Sequence, residues 1–349
     1  MNKSLIAIGA CLACVGAAQA QSTVTLSGLM DAYAGSMRMA GDAGRRAVVG
    51  SGGMTTSWLG FSGTEDLGGG LKASFKITSF LQVDTGTPGR FANDPFFSRD
   101  ASVGLSGAFG AAQLGRGMAP NFLPSILFNP FGDSFTFSPL ILHKDVGLFN
   151  GTGWAATTPS DTGWNNQITY TTPKFGGLIA NLHYQFGEQT GANDNRKNVG
   201  LNAIFQQGPI GLTAYYERDQ ISNPISALLT AGTPARPDTR KDWMLGGSYD
   251  AGIVKGYLTY GQGKSEVTSL ESKTVQVGAS APIGAGQLLA SVARTELDNT
   301  VGQPTRTTAT IGYDYFLSKR TDLYANLMND RLTSYKNGTS LGIGMRHRF

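Results

Sequence analysis

The stretch Leu71-Lys72-Ala73-Ser74-Phe75-Lys76-Ile77-Thr78-Ser79-Phe80-Leu81-Gln82 decides the fold. On an extended strand Ala73, Phe75, Ile77 and Leu81 share one face, and Lys72, Ser74, Lys76, Thr78 and Gln82 share the other. The same period of two recurs along the chain. Asn198–Gln206 sets Val199, Leu201, Ala203 and Phe205 on one face, and Thr307–Phe316 does so with Ala309, Ile311, Tyr313 and Tyr315. The final strand reads Leu341, Ile343, Met345, His347 and Phe349 on one side and ends there. The second face is Thr, Ser, Gly, Gln and Asn, which cannot fill the apolar interior of a soluble sandwich or barrel. The apolar face therefore meets lipid and the polar face lines water.

Composition agrees. Gly supplies 48 of 349 residues, and charged residues are 15 %, against about 25 % in an ordinary soluble domain. No apolar run after residue 20 approaches the ~18 residues of a membrane helix, which excludes a helical membrane protein. Residues 1–20 read as a signal peptide: Lys3 gives the positive end, Leu5 to Ala18 the apolar region, and Ala18-Gln19-Ala20 the cleavage site. Both cysteines, Cys11 and Cys14, fall inside it, so residues 21–349 form a barrel domain without disulfides. The net charge of +4 is mild and no Lys/Arg run accompanies it, so nucleic acid is not an expected partner.

Short Gly- or Pro-bearing turns fall at Thr64–Gly70, Ser106–Ala111, Pro173–Gly177, Gln207–Gly211, Asp250–Lys255, Ala281–Gln287 and Phe316–Thr321. Longer polar segments lie between them, the first at Ser36–Thr55. Together they divide the chain into an even number of strands, about sixteen, as an up-and-down membrane barrel requires. Tyr170, Tyr184, Phe186, Tyr249, Tyr313 and Tyr315 fall near strand ends, where interfacial girdles belong. The third long loop, Gly117–Gly163, is about 47 residues, far beyond an ordinary connection. Its first half, Asn121-Phe122-Leu123-Pro124-Ser125-Ile126-Leu127-Phe128-Asn129-Pro130-Phe131-Gly132-Asp133, is too apolar for water and is expected to pack on the barrel wall.

Several motifs carry a resemblance. Val24-Thr25-Leu26-Ser27-Gly28, Leu59-Gly60-Phe61-Ser62-Gly63-Thr64-Glu65-Asp66-Leu67-Gly68, Val103-Gly104-Leu105-Ser106-Gly107, Leu114-Gly115-Arg116, Tyr170-Thr171-Thr172-Pro173-Lys174-Phe175-Gly176-Gly177 and Gly344-Met345-Arg346-His347-Arg348-Phe349 resemble the Gram-negative trimeric general porins, in their β-proteobacterial style. The resemblance implies an all-β fold: a 16-stranded antiparallel transmembrane β-barrel with an inward-folded third loop. It further implies a homotrimer in the cell outer membrane, in contact with outer-membrane lipid and lipopolysaccharide, that passes small hydrophilic solutes and ions. The second loop, Asp84–Phe97, would reach toward a neighbour.

A pore selects by diameter and fixed charge. Strands tilted about 45° climb roughly 2.3 Å per residue, so Lys76, Trp58 and Arg116 each lie near mid-membrane, across from Asp133 and Asp145 in the third loop. Lys76 is either a selecting charge or plain lining. Arg116 shares the parity of Ala112 and Leu114 and would point outward unless a bulge at Gly115 or Gly117 intervenes. The resemblance places it on the pore wall. Asp133 follows Pro-Phe-Gly and either shapes a turn or faces the lumen. Trp58 and Gly163 stand where the family often has wall arginines, so the expected anion preference is weak.

No Ser/His/acid arrangement, metal spacing or phosphate loop is readable, so no enzyme, cofactor or metal is expected. The alternative is a channel preferring small organic anions or aromatic compounds, suggested by the Phe- and Leu-rich loop. A receptor or adhesin on a barrel is third, and the first strand opens too soon after Gln21 to leave room for a plug.

Overall fold

The computed structural model describes residues 23–90, 94–144, 162–188, 190, 197–222, 227–228, 239–266, 271–298 and 303–349. The expected signal peptide, 1–20, and Asp145 lie outside them. The strands form one closed antiparallel barrel of sixteen staves. In chain order they are β1 (Thr23–Met37), β2 (Arg46–Ser51), β3 (Trp58–Gly68), β4 (Leu71–Gln82), β5 (Asp100–Gly107), β6 (Gly110–Met118), β7 (Gly163–Thr171), β8 (Leu178–Gln185) and β9 (Asn198–Gln207). The remainder are β10 (Ile210–Asp219), β11 (Arg240–Asp250), β12 (Lys255–Ser265), β13 (Glu271–Ile283), β14 (Gly286–Asp298), β15 (Thr305–Phe316), β16 (Thr321–Leu332) and β17 (Gly338–Arg348). Closure comes from β1 pairing with β17, from Leu29 opposite Arg348 to Ser36 opposite Leu341. The backbone amides of Gly28 and Phe349 exchange hydrogen bonds at 3.1 Å, so the terminal residue completes the seam. All seven expected short turns join neighbouring strands.

One stave is broken. The sequence reading makes Ser36–Thr55 a loop, whereas Arg46–Ser51 pairs with the upper half of β1 and Trp58–Gly68 with its lower half. Between them residues 52–57 leave the sheet. The fully buried Asp31 carboxylate holds this excursion, accepting hydrogen bonds from the amides of Gly53 (3.0 Å), Met54 (2.8 Å) and Thr55 (2.8 Å) and from the Tyr324 hydroxyl. A carboxylate so satisfied replaces three lost ladder bonds.

The alternation holds around the barrel. On β14 Ser291, Ala293, Thr295 and Leu297 are buried inside, while Ala290, Val292, Arg294 and Glu296 are exposed outside. The third loop enters the lumen with two short helices, α1 (Phe122–Leu127) and α2 (Pro139–Lys144).

Candidate functional site

The third loop fills sockets made by glycines. A Cβ on Gly200 would meet Pro120 at 2.5 Å, on Gly211 Phe128 at 3.3 Å, on Gly278 Pro130 at 2.7 Å, on Gly312 Phe131 at 3.2 Å, and on Gly342 Phe137 at 2.5 Å. These inward-facing glycines run from β9 round to β17, so the loop follows that wall. Phe128, Phe131 and Phe137 are at most 1 % exposed. Burying each contributes about 2–3 kcal/mol toward holding the loop down. Polar ties fix its path: Asn202 Nδ2 donates to Pro120 O (2.8 Å), Ser134 Oγ to Gly53 O (2.7 Å), Thr136 Oγ1 to Gly52 O (2.9 Å) and Thr310 Oγ1 to Phe137 O (2.8 Å). The broken stave is thus a shelf on which the loop rests.

His143 of α2 lies buried between the hydroxyls of Thr295 (Nδ1, 2.9 Å) and Thr308 (Nε2, 2.7 Å). Burial, reinforced by nearby Arg306, holds its imidazole well below the usual range and therefore neutral. The Arg306 guanidinium pairs with Asp330 at 2.9 Å and donates to Leu142 O at 3.2 Å, which closes the end of the helix.

Inward residues of β9 and β13–β16, among them Asn202, Gln276, Thr295, Thr308 and Met328, are buried beneath the loop. On β4 the inward face opens toward the periplasmic end: Thr78 is buried, but Lys72 and Lys76 stand exposed. The open water column therefore runs beside the early strands.

Lys76 faces this column in register with Ser62 and Ser102, and has no carboxylate partner among the described residues. Arg116 points inward because the expected bulge is present. The β6–β7 register slips between Gly115 and Gly117, and Gly115 has φ of 119°. Arg116 is buried, donating from Nε to Ser98 O (2.6 Å) and from Nη1 to Asn165 Oδ1 (2.6 Å). Trp58 carries the guanidinium of Arg99 stacked 4.0 Å above its ring. Asp133 is half-buried in the loop, with the Thr55 side chain beside it and Arg346 and Arg99 as its charged neighbours. Burial raises its carboxyl above the ordinary value, against the pull of Thr55 and the two arginines.

Trp58 and Asp133 thus converge on Arg99. Lys76 and Arg116 lie within one register step of each other, on β4 and β6 flanking β5, toward the periplasmic side of Trp58. Sequence reasoning missed Arg99 and Arg346. The signal for Arg346 was its parity, opposite Leu341, Ile343 and Met345; Arg99 sits in a loop end where parity has no meaning.

Most wall arginines are matched. Arg99 pairs with Asp100 (3.0 Å), and Arg346 with Asp314 (2.9 Å) and Asp322 (3.0 Å) while donating to Thr55 Oγ1 (2.9 Å). A closed barrel with an outward apolar band, a polar lumen and a loop pinned across it defines a passive diffusion channel of an outer membrane.

Comparison with known proteins gives the particular family. Residues 5–334 match the family described as Gram-negative porin, and the chain belongs to that family. It is 34 % identical to outer membrane porin protein 32 of Delftia acidovorans, over 98 % of this chain and 92 % of the relative. It is 28 % identical to an outer membrane porin protein of Bordetella pertussis, over the full length of both. Among solved structures it resembles the anion-selective porin from Comamonas acidovorans, with TM-score 0.76 and 26 % identity over 94 % of this chain and 100 % of the other. The protein is an outer-membrane porin, a channel rather than a member of an enzyme family.

Proposed function

We propose that this porin passes small hydrophilic solutes with a weak preference for anions, set where Trp58-borne Arg99 and Arg346 face Asp133, with Lys76 and Arg116 below. The observation that carries this is charge balance. Asp100 answers Arg99, while Asp314 and Asp322 answer Arg346, and Lys76 is a wall charge with no carboxylate partner among the described residues. A field of mixed sign separates charges laterally without strongly excluding cations, and salt screens it over ~8 Å. A channel choosing aromatic solutes finds less support. Of the Phe- and Leu-rich loop that suggested it, Phe128, Phe131 and Phe137 lie in wall sockets rather than along the water column.

The proposal includes a homotrimer built on the arc from β17 through β1 to β7. The outward residues there are small or apolar: Ala32, Ala34, Val49, Val103, Leu114 and Ile343. Phe96 and Phe97 of the second loop form an exposed edge-to-face pair with centroids 4.9 Å apart, suited to a neighbour's surface. Reversal potentials in a salt gradient test the selectivity: Arg99→Gln is expected to move them toward cations and Asp133→Asn toward anions. Shifts in one direction, or none, would remove both residues from the constriction. Monomeric mobility in unheated electrophoresis, with monomer mass by light scattering, would refute the trimer.

A further inference from the structure

Arg346 on β17 is the hub of a row of buried acids on the periplasmic side of the constriction. Register sets it opposite Asp31 of β1 on one side and Asp322 of β16 on the other. Asp314 of β15 stands one strand further on, opposite Tyr324 and two residues before the turn at Phe316–Thr321. All four charged side chains face inward, and none of these residues is more than 9 % exposed.

The three acids are served unequally. Asp31 is saturated: the amides of Gly53, Met54 and Thr55 and the Tyr324 hydroxyl supply both of its oxygens. Asp322 accepts from Arg346 Nε at both oxygens (3.0 and 3.2 Å) and from Arg348 Nη1 at Oδ2 (3.1 Å). Asp314 receives one donor, Arg346 Nη2, on Oδ2 at 2.9 Å. Its Oδ1 is closed off from water and has no hydrogen-bond partner among the described residues.

The charge count singles out the same group. Three carboxylates, Asp31, Asp314 and Asp322, share two guanidiniums, Arg346 and Arg348, and the Arg348 side chain is 43 % exposed to water. The other charges that face Arg346 do not redress this. Asp133 of the third loop adds a further carboxylate, and its second neighbour, Arg99, is already paired with Asp100 at 3.0 Å. An ionised oxygen buried without a donor bears the desolvation of its charge, and a second carboxylate beside it adds repulsion. One proton on Asp314 removes both costs.

We propose that Asp314 sets the ion preference of this channel by standing in the wall as an uncharged carboxyl, with a proton held on Oδ1. The row then balances, Asp31 and Asp322 against Arg346 and Arg348. Arg346 Nη1 donates to Thr55 Oγ1 (2.9 Å), beside Asp133, so its charge faces the water column without a surplus carboxylate behind it. Loss of the proton places one negative charge under the constriction, and anions lose their advantage. The inference rests on the weak anion preference proposed above and names the residue that produces it.

The test is the reversal potential of single channels in a potassium chloride gradient, followed from about pH 6 to about pH 9, below the range where lysines lose their charge. In wild type the chloride-to-potassium permeability ratio is expected to fall about twofold across that range, the effect of one charge roughly a Debye length from the ion path. Asp314→Asn is expected to hold its starting ratio throughout, because the amide has no proton to lose. Asp322→Asn leaves two carboxylates for two guanidiniums, so its fall is expected at lower pH. Infrared difference spectra of wild type against Asp314→Asn at neutral pH read the proton without reference to ion flow, and are expected to show one protonated-carboxyl carbonyl band lost in the variant. A flat wild-type ratio, a fall retained in Asp314→Asn, an unmoved fall in Asp322→Asn, or no lost carboxyl band would each overturn the proposal. A cation-selective wild type that still shows the Asp314-dependent fall would refute the anion preference and uphold the protonated Asp314.

Discussion

Gly342 and Phe137 form one joint seen from two sides, and substituting each alone and then both tests whether the glycine sockets hold the third loop. A methyl at Gly342 would stand 2.5 Å from Phe137 Cζ, about 0.9 Å inside the 3.4 Å where ordinary contact begins, and 3.2 Å from Tyr33. Phe137 cannot yield easily: it is fully buried and stacks edge-on against Tyr33 at 5.8 Å. Overpacking of this kind costs about 1–3 kcal/mol, so Gly342→Ala is expected to loosen the loop tip. Phe137→Ala loses the ring and leaves a void, at about 3–5 kcal/mol. Independent effects would sum to roughly 4–8 kcal/mol. In the double variant the new methyl occupies space the ring vacated, so its destabilisation is expected to fall at or below that of Phe137→Ala alone. The assay is the heating midpoint of the electrophoretic mobility shift, with single-channel recordings for extra current noise in each single variant. Strict additivity, or quiet channels in both single variants, would refute the socket account.

Deleting Phe122 to Phe131 should leave a folded barrel of higher single-channel conductance; an unchanged value would place the loop outside the water path. Acid should weaken loop docking. The unfolded chain protonates His143 near 6.5 while the buried ring stays neutral, so stability is full above that pH and falls below it, by at most about 1.4 kcal/mol per pH unit. His143→Gln should flatten the decline in heating midpoint between neutral and mildly acidic pH. Gly115→Ala puts a Cβ 2.3 Å from Ala101 O at a φ of 119°, so it should cost about 1–3 kcal/mol and release Arg116 from Ser98, seen as a lower heating midpoint and a changed reversal potential.

The strand ladder was readable because alternation and turn chemistry are local properties. The turns at Gly68–Gly70 and Gly107–Gly110 and the apolar third loop follow from stretches of adjacent residues, whereas the bulge beside Arg116 came from the family resemblance, since parity alone sends that side chain outward. What escaped depends on chain segments far apart. Asp31 fixes residues 52–57 only once Tyr324, nearly 300 positions away, stands beside it. A strand of six residues such as Arg46–Ser51 is too short to show its period amid Gly and Ser. The sockets are glycines, whose function is the absence of a side chain, so no residue type announces them. Of the residues proposed for the constriction, Trp58 and Asp133 were chosen from the sequence, whereas Arg99, which stacks on Trp58 and neighbours Asp133, was not, because the end of the second loop carries it there.

The most direct test of the central claim is single-channel recording of the wild-type protein in a tenfold potassium chloride gradient across a neutral phosphatidylcholine bilayer. An open water column with largely balanced wall charges predicts ohmic steps that grow with salt without saturating, and a small reversal potential of the anion-selective sign. That potential should lie well below the ~59 mV of an ideally selective pore and shrink further in concentrated salt. A saturating conductance, a near-ideal potential, or a cation-selective sign would contradict it.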